Sequence, residues 1–321
     1  MSSGRLRTLA AVIGVPVGLV FLWLAVRDAD LDAVWDSLRK AHTGLIALGV
    51  GALAAVYACQ ATRWKRIAAT PDVGVARFYE MTVCGVAVNN VLPGRIGDFL
   101  RARWLGRAAH MAAGRSFGTV ILDRAFDLVV LVGVLVVGIA AVASSEWLVQ
   151  LAAAGAVVVL GLAGVVLFSR SYIGRRERGR RERGLVRRLV RDTVERLAEP
   201  LGRRSLIVWL ALSLGAWGFW AGAALLLARS LGIELSVAEA LFVTAVLNLG
   251  SAVPSSPGYV GTYEWLGVAS LGLLGIDNEP ALAFTILLHA AWYAPTTLFG
   301  AVALGTRGIV ELRCRSARVR T

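Results

Sequence analysis

The chain has 321 residues, of which 57% are hydrophobic and only 17% are charged. A soluble domain is about half apolar and a quarter charged, so this composition excludes an ordinary soluble protein. The apolar residues fall in long blocks, as they do in integral membrane proteins. The net charge of +13 raises nucleic-acid binding as an alternative, and the positions of the basic residues decide between the two.

Hydropathy predicts an all-α membrane protein with about six transmembrane helices. The first has about 19 residues, or about 28 Å at 1.5 Å per residue, which is enough to cross the hydrocarbon core. No convincing cleavage site follows it, so we expect a retained helix rather than a signal peptide. The six predicted spans lie near 8–26, 44–62, 114–143, 147–169, 206–228 and 282–305.

A short amphipathic helix is predicted after the first span. Leu31, Val34, Trp35 and Leu38 recur at helical spacing among acidic residues. This pattern favours a helix lying on the outer membrane surface.

The apolar segment 78–107 is interrupted by "NNVLPGRIGDFLRARWLGR", from Asn89 to Arg107. A proline inside a helix costs about 3 kcal/mol, because its ring removes a donor and clashes with the preceding turn. The segment therefore predicts a helix, a break and a second helix, folded as a re-entrant hairpin. Non-helical backbone at membrane depth is tolerated where it is buried in protein or faces a watery cavity.

The span 114–143 carries charged residues within the bilayer. Asp123 and Asp127 share a helix face, and Arg124 lies three residues before Asp127. Ionisable groups at this depth cost several kcal/mol unless they are paired. A structural Asp–Arg lock and a contact with substrate or protons are both open for these residues.

Segment 170–204 holds 13 arginines and five acidic residues. We interpret it as a cytoplasmic linker followed by an amphipathic basic helix on the inner leaflet, where each basic residue gains about 1 kcal/mol near anionic headgroups. An RNA-binding arm is the alternative, but no aromatic stacking residues accompany the arginines.

A second interrupted segment, 237–275, lies on the opposite side of the predicted membrane. Both breaks follow the order Asn, Pro, Gly and acid. The first contains Asn89, Asn90, Pro93, Gly94, Gly97 and Asp98, and the second contains Asn248, Pro254, Pro257, Gly258, Gly261 and Glu264. Interrupted helices of opposite orientation indicate an inverted repeat with its transport site at the breaks.

The basic residues separate by side. With six spans, 29 of the 34 Lys and Arg fall on one side, in segments 1–7, 63–77, 95–115, 170–204 and 306–321. This asymmetry marks that side, with both termini, as cytoplasmic, and it explains the charge without nucleic acid.

We therefore predict a single membrane domain, 1–321. Its parts are a first half 1–169 with hairpin 78–107, the linker 170–204, a second half 205–305 with hairpin 237–275, and a basic tail 306–321.

The first break also suggests a phosphate site. The N-terminus of its second helix presents N–H groups and partial positive charge, and Arg95 and Arg101 are placed to bind the same phosphate. The alternative is that the break only turns the chain while the arginines anchor it to headgroups. Glu264 also has a simple alternative role, in favouring the N-terminus of its half-helix. The candidate lipid-binding residues are those of both breaks together with Arg95, Arg101, Asp123, Arg124 and Asp127.

No catalytic or metal-binding pattern is visible in the sequence. The three cysteines and three histidines are scattered, and no P-loop, HExxH motif or paired cysteine cluster occurs. We expect neither enzyme activity nor a cofactor or metal.

Three stretches, "NNVLPGRIGDFLRARWL", "ILDRAFDLVVL" and "VPSSPGYVGTYEWL", resemble in this order the lysylphosphatidylglycerol synthase transmembrane family. In that family the domain is the lipid-translocating half of enzymes that make and flip aminoacylated phosphatidylglycerol. Related stand-alone proteins are linked to other lipids, including polyprenyl-phosphate-linked sugars. Asp98 stands where glutamate is expected, and the 321 residues hold no aminoacyl-transferase domain, so we do not expect lipid synthesis. The resemblance implies functional positions at Asn90, Pro93, Gly94, Gly97, Asp98, Arg101, Asp123, Arg124, Pro254, Gly258, Gly261 and Glu264.

The expected function is a flippase-like transporter of the bacterial inner membrane, which moves a phospholipid or a polyprenyl-phosphate-linked headgroup. One alternative is a membrane enzyme acting on headgroups, with Asp98 and Glu264 as acid and base. Another is an assembly partner whose segment 170–204 docks a lipid-modifying synthase or glycosyltransferase. We further expect Arg101 to recruit headgroups at the cytoplasmic mouth, and Arg124 to lie deeper in an ion pair.

Overall fold

The computed structural model describes residues 16–92, 95–142, 192–193, 202–251 and 256–318, with side chains to residue 306. These residues are helical and contain no β-strand. The helices are α1 (Pro16–Val26), α2 (Leu31–Lys40), α3 (Thr43–Ala68), α4 (Val75–Val91), α5 (Ile96–Ala108), α6 (Ala113–Val142), α7 (Arg203–Ser230), α8 (Val237–Gly250), α9 (Thr262–Gly272) and α10 (Asn278–Arg318), with a short 3-10 turn at Pro257–Tyr259.

Four of these helices are long and apolar enough to cross a membrane: α3, α6, α7 and the part of α10 up to Thr306. The all-α membrane class is therefore confirmed. The predicted span 8–26 is described only from Pro16 onward, and the predicted span 147–169 lies outside the described residues, as does nearly all of segment 170–204.

Both predicted breaks interrupt helices as expected. α4 ends at Val91 and α5 begins at Ile96, while the 3-10 turn separates α8 from α9. α4 packs beside α5, α8 packs beside α9, and α4 also contacts the 3-10 turn. The two breaks therefore adjoin each other, although how each hairpin sits in a membrane stays a prediction. Pro93, Gly94 and Pro254 fall outside the described residues.

Helix association depends on close backbone approach. A Cβ on Gly97 of α5 would collide with the carbonyl of Gly85 in α4, so these two helices touch through their backbones. Ala223 and Ala224 of α7 are completely buried, and α7 packs along α3. Small residues serve this purpose in membranes, because lipid tails are as apolar as side chains and only tight packing favours helix contact.

The predicted surface helix is α2. Its N-terminus is capped by the Asp30 side chain, which accepts hydrogen bonds from the N–H groups of Asp32 and Ala33. Val34 is buried, whereas Leu31 and Trp35 are exposed. The exposed apolar pair suits a helix lying in the membrane interface.

Candidate functional site

A cavity of about 330 Å³ lies between the two breaks. Three amide side chains from the sequence prediction reach it, together with four of the predicted charged residues. Aromatic rings from α3, α7, α9 and α10 form much of the remaining wall. The predicted residues that line it are Asn89, Asn90, Arg95, Asp98, Arg124, Asp127 and Asn248.

Beside this cavity, three arginines and three aspartates alternate in a closed circuit of ion pairs, which we call the ion-pair ring. Arg63 contacts Asp123 at 2.9 Å and Asp127 at 2.6 Å. Arg101 contacts Asp123 at 3.1 Å and Asp98 at 3.6 Å. Arg124 closes the ring through Asp98 at 2.8 Å and Asp127 at 3.8 Å. The ring ties α3, α5 and α6 together, and its formal charges cancel.

The two halves of the ring differ in burial. The side chains of Arg63, Arg101 and Asp123 are at most 1% exposed, whereas that of Arg124 is 32% exposed. Arg101 also lies 4.2 Å from the centroid of the Trp64 ring, a cation–π contact. The expectation that Arg101 stands at an open mouth is therefore wrong, because α5 turns it inward against α3 and α6. Arg124 is paired, as expected, but it is not the deeper of the two arginines. Among the three arginines of the ring, it is the one that lines the cavity.

Arg63 was assigned to a cytoplasmic loop and is instead a buried residue of α3. Besides its two carboxylates it donates to the Ser213 hydroxyl of α7 at 2.7 Å. Hydropathy ends the span at the first cluster of charges, so it cannot distinguish a buried arginine from an interfacial one. The sequence contains one signal for this burial: Asp123 and Asp127 lie within a predicted span and need a basic partner there.

Arg95 is the cavity cation outside the ring. It sits in the break at a φ of 53°, in the left-handed region that non-glycine residues seldom adopt. Its Nη2 donates to the Ser251 carbonyl at 3.5 Å, so it reaches from the first break to the second. Among the described residues, no carboxylate lies within ion-pair distance of it.

The asparagines satisfy backbone and side-chain groups. Asn89 Oδ1 accepts the Gly97 N–H at 2.7 Å, so an amide caps the broken helix. The Asp98 N–H donates to the Arg95 carbonyl at 3.1 Å. The expectation of free N–H groups for a phosphate is thus wrong at Gly97 and Asp98, because the break uses them itself.

The other two amides bond to nearby helices. Asn90 Nδ2 donates to the hydroxyls of Thr296 and Thr297 in α10, at 3.2 and 2.9 Å. Asn248 Nδ2 donates to the Thr244 carbonyl within α8 at 2.8 Å. Asn90 therefore joins the first hairpin to α10, whereas Asn248 acts within its own helix.

Apart from Asn248, the described residues predicted for the second break, Pro257, Gly258, Gly261 and Glu264, do not line the cavity. Gly258 has a φ of 72°, and a Cβ there would press against the Tyr293 ring. Gly261 donates its N–H to Glu264 Oε2 at 2.5 Å, so Glu264 caps α9 as the simpler alternative proposed. Pro257 begins the 3-10 turn. His289 of α10, which no sequence pattern singled out, contacts both Glu264 and the Gly258 carbonyl.

An apolar groove of about 140 Å³ adjoins the polar cavity. It runs between α3, α4 and α10, near Pro295, and its walls include Leu53, Val83 and Phe299. Tyr57 and Trp292 line both the groove and the cavity. The polar cavity and the apolar groove therefore share one boundary.

Similar proteins include a UPF0104 membrane protein of Methanothermobacter thermautotrophicus, 24% identical over 305 residues, which cover 86% of this chain and 88% of that protein. Another UPF0104 membrane protein, from Methanocaldococcus jannaschii, is 23% identical over 67% of this chain and 92% of its own length. The glycosyltransferase AglD of Haloferax volcanii is 27% identical over 66% of this chain, a match that covers 40% of that protein. The family model for the lysylphosphatidylglycerol synthase TM region matches residues 9–300. The chain therefore belongs to the lysylphosphatidylglycerol synthase transmembrane-region family, as a multi-pass membrane protein.

Proposed function

We propose that this protein is a flippase-like transporter that moves a phosphate-bearing lipid across the cytoplasmic membrane. The substrate class is an anionic phospholipid or a polyprenyl-phosphate-linked glycolipid. The observation that carries the proposal is the polar cavity between two helix breaks, joined to an apolar groove through Tyr57 and Trp292. A lipid has a polar headgroup that suits the cavity and an apolar tail that suits the groove.

The charge of the cavity favours an anionic headgroup. The ion-pair ring is neutral as a whole, so the ring and Arg95 together carry one net positive charge. Arg124 faces the same space with a third of its side chain exposed. Guanidinium groups bind phosphate through charge-assisted hydrogen bonds, which makes Arg95 and Arg124 the proposed headgroup contacts.

The groove gives the lipid tail a place beside its headgroup. Each methylene removed from water contributes about 0.8 kcal/mol, but a tail in the bilayer already has that benefit. The groove therefore does not need to bind the tail tightly. Its proposed role is to let the tail stay in apolar surroundings while the headgroup occupies the cavity.

We propose transport rather than catalysis for two reasons. Glu264 does not line the cavity, and its carboxylate is engaged by Gly261 and His289. Asp98 is engaged by Arg124 and Arg101. The two acids named for an enzymatic alternative therefore do not face a common space, which a paired acid and base requires.

The glycosyltransferase name of the Haloferax relative supports a setting in lipid-linked glycan chemistry. We propose a glycosyltransferase or lipid-modifying synthase as the partner that supplies or consumes the transported lipid. Nothing in the proposal calls for nucleic acid, and the basic segment 170–204 is assigned to the cytoplasmic leaflet.

The test is lipid movement in proteoliposomes with trace fluorescent lipids, comparing phosphatidylglycerol with phosphatidylcholine. Arg95→Gln should slow the anionic lipid by about tenfold or more, since a hydrogen bond to a charged group contributes about 1.5–3 kcal/mol. Arg103→Gln is the matched control, because Arg103 is exposed on the same hairpin and does not line the cavity. The proposal fails if the parent moves neither lipid, or if mass spectrometry finds that it converts the lipid into a new product.

A further inference from the structure

Glu264 of α9 and His289 of α10 form a buried pair behind the cavity wall. Each residue is 6% exposed. His289 Nδ1 lies 2.5 Å from Glu264 Oε1, and His289 Nε2 lies 2.9 Å from the Gly258 carbonyl oxygen. The other carboxylate oxygen of Glu264 accepts the Gly261 N–H. The pair therefore holds both glycines of the second break.

The atoms in these contacts restrict where protons can be. A carbonyl oxygen only accepts hydrogen bonds, so Nε2 must carry a proton to bond with Gly258. A carboxylate also only accepts, so the contact between Nδ1 and Oε1 needs a proton on one of those two atoms. One solution is an imidazolium beside a carboxylate, and the other is a neutral imidazole beside a carboxylic acid.

Both solutions contain the same number of protons. Each holds one proton more than a neutral histidine beside an ionised glutamate. If that proton leaves, either Nδ1 faces the carboxylate or Nε2 faces the Gly258 carbonyl with a lone pair, and one of the two hydrogen bonds is lost. An unpaired buried acceptor costs about 1–3 kcal/mol, so proton release loosens a specific contact of the break.

We propose that Glu264 and His289 form a proton-binding site that holds the second break in its present conformation. The ligand is a single proton, taken from water and returned to water, with no other bond made or broken. Gly258 and Tyr259 both have positive φ, at 72° and 63°, and Tyr259 lines the cavity. Release of the proton breaks the bond of His289 either to the Gly258 carbonyl or to Glu264, which caps α9 through Gly261, and so it acts next to this cavity wall.

The surroundings leave Glu264 and His289 as the place where the exchangeable proton is held. Phenol and indole rings surround His289: Tyr263 at 4.5 Å, Trp292 at 5.2 Å and Tyr293 at 5.6 Å between ring centroids. Tyr259 of the turn contacts Trp292, and Tyr57 of α3 lines the same cavity as Tyr263. Phenols keep their protons at neutral pH, whereas histidine changes charge between about pH 5 and 8. Within the described residues, no Lys, Arg or Asp is hydrogen-bonded to either member.

Only a single layer of side chains separates the pair from the cavity. Tyr263 and Trp292, which contact the imidazole, are themselves part of the cavity wall. A small movement of either ring therefore brings the pair into contact with water in the cavity. Any coupling of this proton to lipid movement rests on the proposed function, whereas proton binding itself does not.

The test measures the proton directly by nitrogen NMR of histidine-labelled protein in nanodiscs. The chain has three histidines, and His289→Gln assigns the signal of interest. The parent's His289 nitrogens should shift between about pH 5 and pH 9, which brackets the histidine range. Glu264→Gln is the matched variant, because its amide oxygen accepts the Gly261 N–H while its amide nitrogen donates to a neutral Nδ1. In that variant the His289 signals should not move with pH.

Parent His289 signals that stay constant over this range overturn the proton site, whether or not the protein moves lipid, and this result does not depend on the variant folding. A titration that persists unchanged in Glu264→Gln also overturns it, because the glutamate is then not involved. A titrating pair in a protein that moves no lipid leaves the proton site standing and removes the proposed function. If lipid moves, Glu264→Gln should lose the pH dependence of the rate.

Discussion

Each arginine in the ion-pair ring has two acidic neighbours, yet the three differ in what surrounds them. Arg101 is enclosed by Trp64 and by Asp123, whose carboxylate is nearly inaccessible to water, and its second acid, Asp98, is 13% exposed. Arg124 borders the cavity, where water can solvate the acids that it leaves behind. The position of an arginine along the sequence therefore does not predict how deeply its side chain is buried, because α5 folds back against α3 and α6.

Removal of Arg101 should destabilise the fold more than removal of Arg124. Arg101→Ala leaves a net negative charge where water does not reach, and breaking a buried pair this way costs about 3–5 kcal/mol. Thermal unfolding in detergent, followed by size-exclusion chromatography of the heated samples, gives the ranking. Arg103 lies on the exposed face of α5, so Arg103→Ala should unfold at the same temperature as the parent. If Arg124→Ala unfolds at the same temperature as Arg101→Ala or at a lower one, Arg101 does not stabilise the fold more than Arg124, and its place in the more buried half of the ring does not decide stability.

The sequence was informative about residues whose role is local. Proline and glycine mark both breaks because their backbone preferences act within a few residues. Asn89 could be expected to satisfy a broken helix for the same reason. The ring and the Glu264–His289 pair could not be predicted, because their members come from separate helices. Partner choice there depends on how α5 and α10 pack, which spacing along one helix does not reveal.

At the scale of elements, the polar cavity and the apolar groove are separated by two rings, Tyr57 and Trp292. α3 supplies one ring and α10 the other, and α10 contains Pro295 at the groove. A proline within a helix removes one backbone hydrogen bond and commonly bends it. The groove therefore lies beside the one proline in this part of α10.

Filling the groove should slow lipid movement without unfolding the protein. Ala54 lines the groove and is exposed, so Ala54→Trp adds a ring where space is open. If it keeps two methylenes of the tail out of apolar contact, the loss is about 1.6 kcal/mol, more than tenfold in rate. The measurement is the proteoliposome assay, with folded yield checked by chromatography.

Ala58→Trp is the control for this effect, because Ala58 is exposed one turn further along α3 and lines neither compartment. It should transport lipid like the parent. Equal rates for both tryptophan variants and the parent would show that the tail does not pass through the groove.

At the scale of the whole molecule, the distribution of basic residues still predicts the orientation of the chain. Arg63 and Arg101 belong to the core rather than to loops, so the count on the proposed cytoplasmic side falls by two, from 29 to 27 of 34. A bias of that size is unaffected by two residues. The positive-inside rule counts basic residues in short loops near the ends of spans, and α3 ends with Lys65 and Arg66 on that side.

The orientation gives a labelling prediction. Ala29 lies in the turn between α1 and α2, which we place outside, and Gly179 belongs to the basic segment 170–204, which we place inside. With Cys59, Cys84 and Cys314 replaced, Ala29→Cys should react with an impermeant maleimide in intact cells. Gly179→Cys should react only after the cells are opened, and both should react to the same extent then. Labelling of both positions in intact cells would require an even number of crossings between them instead of three, and it would remove the cytoplasmic assignment of the arginine-rich segment together with the six-span topology.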